Sequence, residues 1–481
     1  MKDSILEFIK DPGYGAIIAC LLLIYAVIVI ALAQRYRTVS ATAERVLIVL
    51  FVFCSLSVRL TPFTHWNLKN FITPPTNGTI TYAQLALVAF FFLCSGDVIP
   101  FLKRRLQPLC LASIKSNYFL WIVPILAVAS VFWSNSPVTS LKAGLILLFY
   151  NLFSVYIVNK FTWASIAACL RLIFFIIGTS SFFIFSGYVT NDGGDGGGLA
   201  GILASKNSLG YLMSLAVVVY FIEAYRTKKG RLFNTAMALF SGLVMLSAKS
   251  GGAMALLFGL VILAAAAILI EKLNVRYIPL VSVLLAIGFV AACIFVWSST
   301  PLILNALGEN TGLTGRDKIW GAAWTAIREN FWLGLGPYSF WQPWKDNADN
   351  PSLVYLIDQG MTLFIAPHAH QGFLDVMVDL GFLGLMAFAG SLVIAVNQAR
   401  SFFLRTRRLE SFLPLLLIAY VFIQNISESR LLKPNFVWLV YTLTTISLSI
   451  QSQTQSDSWN LKKNALASTG LEKNIAVRNF S

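Results

Sequence analysis

Apolar residues run through this chain in long unbroken stretches, separated for the most part by short polar connections. Stretches of this kind lie near 15–33, 44–60, 81–101, 111–132, 140–158, 162–186, 208–223, 234–248, 252–270, 277–297, 372–396, 412–428 and 435–451. Most are long enough to cross roughly 30 Å of hydrocarbon as a helix; the short runs at 234–248 and 412–428 carry the weakest signal. In lipid only helices and closed barrels satisfy their own backbone, and continuous apolar runs are not the alternation of a barrel strand. The pattern predicts an all-α, polytopic transmembrane helical bundle of about 12–13 spans.

Composition agrees. The 481 residues are 57% hydrophobic and only 12% charged, against about 25% charged in an ordinary soluble chain. Lysine and arginine give the orientation. Alternate connections carry "QRYR" (34–37), "KRR" (103–105), "YRTKKGR" (225–231) and "RSFFLRTRR" (400–408), and one side collects 22 of the 36 basic residues. That side is read as cytoplasmic, which puts the C-terminus inside and, with thirteen spans, the N-terminus outside. The net charge of +15 is then mostly topology signal and attraction to anionic headgroups. No basic patch interleaved with aromatics points to nucleic acid. The first apolar run lacks a small-residue cleavage site and reads as an uncleaved span. All six cysteines fall in or beside the runs, which leaves none for an outer disulfide.

Four regions follow: 1–297 with about ten spans, a long outer loop at 298–371, further spans over 372–451, and a polar, disordered cytoplasmic tail at 452–481. A loop of this length is ordinarily functional or disordered, and "GRDKIWGAAWTAIRENFWLGLGPYSFW" (315–341) is not disordered composition. Ile319, Trp320, Ala323, Ile327 and Phe331 recur at helical spacing, as in a helix lying on the membrane or capping the bundle. "LGLGP" (333–337) turns the chain before Tyr338, Phe340, Trp341 and Trp344. These aromatics read as interfacial anchors, with stacking on sugar rings as the alternative. A second outer loop, "TNDGGDGGGLAGILASKN" (190–207), matches neither nucleotide-binding glycine motif and reads as a flexible gate.

The candidate chemistry lies on that outer side. Lys206 stands at a helix start, where a cation is disfavoured unless an anion binds there. Lys249, in "SAKSGG" (247–252), falls between two apolar runs with almost no loop. At that depth a charge marks a functional site or a lysine snorkelling to the headgroups. Arg316 opens "GRDKIW". Two of the three histidines, His368 and His370, sit in "PHAHQGFLD" (367–375), directly before a span. A metal site there needs further ligands, and none is expected. Asp375, placed on one helix with His370, would point to a different face. "NISESRLLKP" (425–434) brings Glu428 and Arg430 to the outer end of a late span, for acceptor binding or as an internal ion pair.

In order, "WSNSP" and "SLKAG" (133–144), "SKNSLG" (205–210), "SAKSGG", "GRDKIW", "GLGPYSFW" (334–341) and "HAHQGFLDVMVDLGFLGL" (368–385) resemble the O-antigen ligase and polysaccharide polymerase superfamily, most of all its exopolysaccharide-production branch. The resemblance covers about 120–430. It implies a GT-C-like membrane glycosyltransferase in the bacterial inner membrane, with its active site facing the periplasm and no cofactor or metal. The implied donor is an undecaprenyl-diphosphate-linked oligosaccharide, and the implied reaction is inverting polymerisation of repeat units. An O-antigen-ligase type of transfer to lipid A-core or protein is the alternative, and a polysaccharide flippase or transporter the second. Expected partners are membrane lipids and a flippase and chain-length regulator of the same pathway. By motif position the resemblance gives His370 and Arg316 catalytic roles and Lys249, Arg316 and Lys206 the diphosphate, with His368, Glu428 and Arg430 in support. Many relatives have Arg at Lys249 and Asn at Gln371.

Overall fold

The computed structural model describes residues 106–184, 189–190, 197–203, 205–272, 316–342, 351–360 and 366–468. The spans expected at 15–33, 44–60, 81–101 and 277–297, Trp344 and the tip of the glycine-rich loop lie outside them. From residue 109 onward the described chain forms one compact unit. Its helices are α1 Gln107–Ser116, α2 Tyr118–Ala129, α3 Pro137–Lys160, α4 Trp163–Thr179, α5 Lys206–Arg226, α6 Arg231–Ser247, α7 Gly251–Lys272, α8 Arg316–Glu329, α9 Pro351–Asp358, α10 Gly372–Thr406, α11 Leu413–Ser427 and α12 Phe436–Ser468. Among the described residues six helices are long and apolar enough to cross a membrane, or seven if the bent pair α1–α2 is one span.

Each apolar run expected within these residues is helical, with three corrections. The run at 111–132 is broken: α1 and α2 meet at 102°. Asn117 makes the corner, its side chain accepting from Leu120 N at 3.3 Å and donating to the Ser391 carbonyl of α10 at 3.0 Å. The run at 435–451 forms a helix of lower apolarity than the other spans, because it is the centre of the bundle. Every residue from Phe436 to Ile450 is buried, and a helix enclosed all round can carry hydroxyls if they are hydrogen-bonded. Thr442 shares a 2.8 Å bond with Ser154 of α3, and Tyr441 one of 2.7 Å with Ser391. The same helix continues to Ser468, so residues 452–468 are not the disordered tail that their polarity suggests.

The described flanks of the glycine-rich loop are paired with each other. Val189–Thr190 pairs antiparallel with Gly198–Leu199, and Leu199, Ala200, Ile202 and Leu203 are buried. Gly198 is needed there because a Cβ would lie 2.2 Å from the Ala248 carbonyl.

The outer cap is anchored by a break in α10. Gly381 leaves helical geometry at φ 64°, and a Cβ on it would lie 2.4 Å from the Trp332 carbonyl carbon. Into this gap passes the backbone of 331–336. Phe382 N and Leu383 N donate to the carbonyls of Phe331 and Trp332 at 2.8 and 3.2 Å. Leu335 N and Gly336 N donate back to the carbonyls of Val378 and Asp379 at 2.9 and 2.8 Å. The groups that the break frees are thereby satisfied by the loop. This loop follows α8, whose Ile319, Ala322, Ala323, Ala326 and Ile327 pack into a core with Phe340, Trp341, Leu374 and Val378. The expected helix therefore caps the bundle, but Phe331 lies beyond its end and stacks instead on Phe382, ring centroids 5.3 Å apart. Phe340 and Trp341 are buried in the cap, not displayed as membrane anchors or as a sugar platform.

Gly381→Ala combines a left-handed backbone with a backbone clash, and is expected to destabilise the protein by about 2 kcal/mol or more. Gly242→Ala, in the middle of α6 with ordinary contact at 3.9 Å, is expected to be neutral or stabilising. Thermal unfolding of the two purified variants in detergent checks both; equal midpoints would mean that the break tolerates a side chain.

Candidate functional site

The histidine loop lies where α8, α10 and the turn after α11 meet, and its shape is imposed by neighbours. His370 is outside the helix, in the left-handed region at φ 53°. The helix begins only at Gly372, with the Gln371 side chain capping Leu374 N. Asp375, in the first turn, is buried and accepts three hydrogen bonds. They come from Ala369 N at 2.9 Å, Trp341 Nε1 at 2.9 Å and Lys433 Nζ at 3.0 Å. Asp375 therefore does not point away from the histidines as a shared helix would require; it holds the peptide between them. From the other side Trp320 Nε1 donates to the Ala369 carbonyl at 2.8 Å. Gln371 N donates to Ser429 Oγ at 3.0 Å, and Gly372 is tight against Asn425, where a Cβ would lie 2.4 Å from Oδ1.

Held this way, the two rings stand edge to face with centroids 4.2 Å apart, and His368 Nδ1 accepts from His370 N at 3.2 Å. His370 Nδ1 is buried with no hydrogen-bond partner, which leaves Nε2 as the nitrogen to meet a ligand. Glu428, buried, completes the group: one ligating atom each from His368, His370 and Glu428 lies within 4.8 Å of the others. The histidine pair does find the third ligand that its sequence lacks. The donor set nevertheless suits a cation poorly. Glu428 Oε1 is taken by Asn207 Nδ2 at 2.9 Å, Oε2 faces Arg430 at 3.8 Å, and Arg316, Arg430 and Lys433 bear on His368 together.

Both histidines are shifted the same way. Burial lowers His368 well below the ordinary imidazole value, and Lys433, His370, Arg430 and Arg316 lower it further. Burial also lowers His370; Glu428 opposes this most, ahead of the lowering by Arg316. Each imidazole is neutral at pH 7 as a result.

The remaining sequence candidates divide. Arg316 begins α8 and donates to the Ser427 carbonyl at 3.4 Å. Arg430 donates to Ser208 Oγ at 2.8 Å and is held by Asn425, which accepts from Arg430 N at 2.8 Å. Lys206 and Lys249 stand beside this group. Gly198 lies against both the Lys206 stem and the Ala248 carbonyl, and Ser250 donates to Asn207 Oδ1 at 2.9 Å, so Asn207 links the lysine turn to Glu428. Lys249 is exposed at φ 48°, on a turn between α6 and α7. Lys433 and Asn207 were not picked out from the sequence, although both lie inside stretches that were; the signal available for Lys433 was a lysine following a glutamate and an arginine at the outer end of a span.

Residues 235–389 match the family model for O-Antigen ligase. Over 374 residues the chain is 24% identical to the exopolysaccharide production protein ExoQ of Rhizobium meliloti (strain 1021), covering 74% of this chain and 81% of that protein. Both comparisons agree with the resemblance carried by the motifs, and the family match includes Lys249, Arg316, both histidines and the break at Gly381.

Removing Asp375 leaves the Lys433 ammonium and two buried N–H groups unpaired. Asp375→Ala is expected to cost about 3–5 kcal/mol, and Lys433→Met, which strands the carboxylate, a similar amount. Combining them should cost less than the sum of the singles, because the double variant leaves no lone charge. Chemical unfolding of the three variants measures this; strict additivity would mean that the pair is not coupled.

Proposed function

We propose that this chain is a membrane glycosyltransferase of exopolysaccharide synthesis. In this reading it polymerises undecaprenyl-diphosphate-linked repeat units at the periplasmic face of the bacterial inner membrane. The observation that supports this best is the company kept by His370: a half-buried, neutral imidazole beside Glu428, with Arg316, Arg430 and Lys433 converging on the same loop. A neutral imidazole accepts a proton, and surplus cations suit a polyanionic leaving group. The similarity to an exopolysaccharide production protein favours the polymerase over the ligase.

In the reaction, His370 Nε2 takes the proton of an acceptor hydroxyl as its oxygen attacks the anomeric carbon of the donor sugar. The new C–O bond forms on the face opposite the bond to the diphosphate, which breaks with its electron pair and inverts the centre. Arg316 and Arg430, with Lys206 and Lys249 at the margin, hold the diphosphate as its charge grows. Glu428 steadies the imidazolium that results, and Asn207 keeps that carboxylate turned toward the ring. A flippase delivering the donor and a regulator of chain length would be its pathway partners.

The sign of the histidine shift gives a pH dependence. With its pKa below the ordinary value of about 6.5, His370 stays unprotonated through neutral pH, and transfer should fall only on acidification below that value. Glu428 raises the His370 pKa, so Glu428→Gln should move the acid limb to lower pH as well as slow the reaction. Rate against pH for the two purified proteins reads this; an unmoved limb would remove Glu428 from the role.

The deciding experiment separates lipid-linked glycans from a deletion strain carrying wild type or His370→Ala at equal membrane abundance. Long chains in the wild type that collapse to single repeats in the variant are the expected result. Long lipid-linked chains that persist while their final attachment disappears would make the enzyme a ligase. Unchanged glycans would overturn the assignment of His370 and favour a transporter.

A further inference from the structure

α10 leads away from the histidine loop for 35 residues, about 50 Å at 1.5 Å per residue. At its far end, on the side that carries most of the basic residues, a cavity of about 260 Å³ opens between α4, α5, α10 and the turn before α11. Its inner wall is apolar, formed by Trp163, Ala164, Ala167, Val219, Ile222 and Phe402. Its polar side carries three arginines and two glutamates. Arg171 lies two turns into α4, within a helix apolar enough to span the membrane, where an arginine is costly unless it faces a polar or wet space.

The charges do not balance. Glu223, 14% exposed, takes both Arg171 at 2.7 Å and Arg226 at 2.9 Å, and Arg226 also reaches Glu410 at 2.7 Å. Arg408 lines the same cavity and has no carboxylate partner among the described residues. The hydroxyls of Thr406 and Ser411 lie beside it and bond to each other. An interior of aliphatic and aromatic surface, with a rim of net positive charge at the level of a helix end, is complementary to one kind of molecule: an amphiphile with an anionic head. Basic recesses between spans on the cytoplasmic side are suited to anionic lipid headgroups.

We propose that this cavity is a binding site for an anionic glycerophospholipid of the adjoining leaflet. Its phosphodiester would lie against Arg408 beside the Arg171–Glu223–Arg226 network, and the start of an acyl chain along Trp163 and Ala167. The site lies at the opposite end of α10 from the histidine loop and depends on no property of the proposed reaction.

The test is native mass spectrometry of the full-length protein in detergent with phosphatidylglycerol, phosphatidylcholine or inorganic phosphate added. Phosphatidylglycerol should bind one-to-one, at least fivefold tighter than phosphatidylcholine. Arg408→Ala should weaken it by about fivefold, Arg408→Lys should restore most of the binding, and Ala167→Leu, which fills the wall, should weaken both lipids. Equal binding of the two lipids, unchanged by Arg408→Ala, would overturn the proposal and leave only an internal ion network. Binding of inorganic phosphate as tight as that of phosphatidylglycerol would overturn it in favour of a free-anion site. Arg408 is exposed on a turn, so its variants are expected to fold; if Arg408→Ala does not, Ala167→Leu and the comparison of lipids decide the matter.

Discussion

The arrangement of the outer face depends on one buried carboxylate. Asp375 joins a helix start, the peptide between two histidines, an indole from the cap and a lysine from the turn before α12. Each partner comes from a different part of the chain, so the three bonds fix the relative positions of these segments at one point, together with the backbone bonds at the Gly381 break and the Gln371–Ser429 bond. A charge in that position is tolerated because it is paired and fully hydrogen-bonded. The constraint reaches the chemistry directly, since Ala369 carries His368 and His370 on either side, and His370 adopts a backbone conformation that a free loop would avoid.

Around that centre the electrostatics are lopsided. Arg316, Arg430 and Lys433 approach a loop whose nearest carboxylates, Asp375 and Glu428, are already engaged. Burial is what chiefly keeps the imidazoles unprotonated, and these cations add to it while leaving cationic capacity for a ligand. A neutral imidazole and an anion-binding surface can therefore occupy one small volume without opposing each other. Glu428 is the counterweight: it restrains the depression of His370 while Asn207 and Arg430 hold it in place.

Much of this was legible in the amino-acid sequence. Long apolar runs marked every described helix of the bundle, and the spacing of Ile319, Ala323 and Ile327 marked the buried face of α8. The histidine pair, Arg316, Glu428 and Arg430 were recognisable as scarce charged or titratable groups on one side. What failed depended on contacts between distant segments. Two apolar runs leave no visible loop around Lys249, and only the structure shows the left-handed residue that turns the chain there and exposes the side chain. Asp375 looked misdirected because His370 was placed on the same helix; the helix starts two residues later. The aromatics of 338–341 looked like anchors because nothing local says that α8 and α10 enclose them. The bend at Asn117 and the polarity of α12 follow from partners 50 to 288 residues away, which periodicity cannot detect.

The break at Gly381 divides α10 into unequal parts, and only the longer has the length to cross a bilayer. From Phe382 to Thr406 the helix is about 37 Å long, somewhat more than a hydrocarbon core of about 30 Å. The shorter part, locked to the 331–336 loop, carries Asp375 and the histidines above it. α10 thus sets the separation between the histidine loop and the opposite end of the bundle. One residue inserted below the break would lift the site by 1.5 Å and turn it by about 100° relative to the other helices.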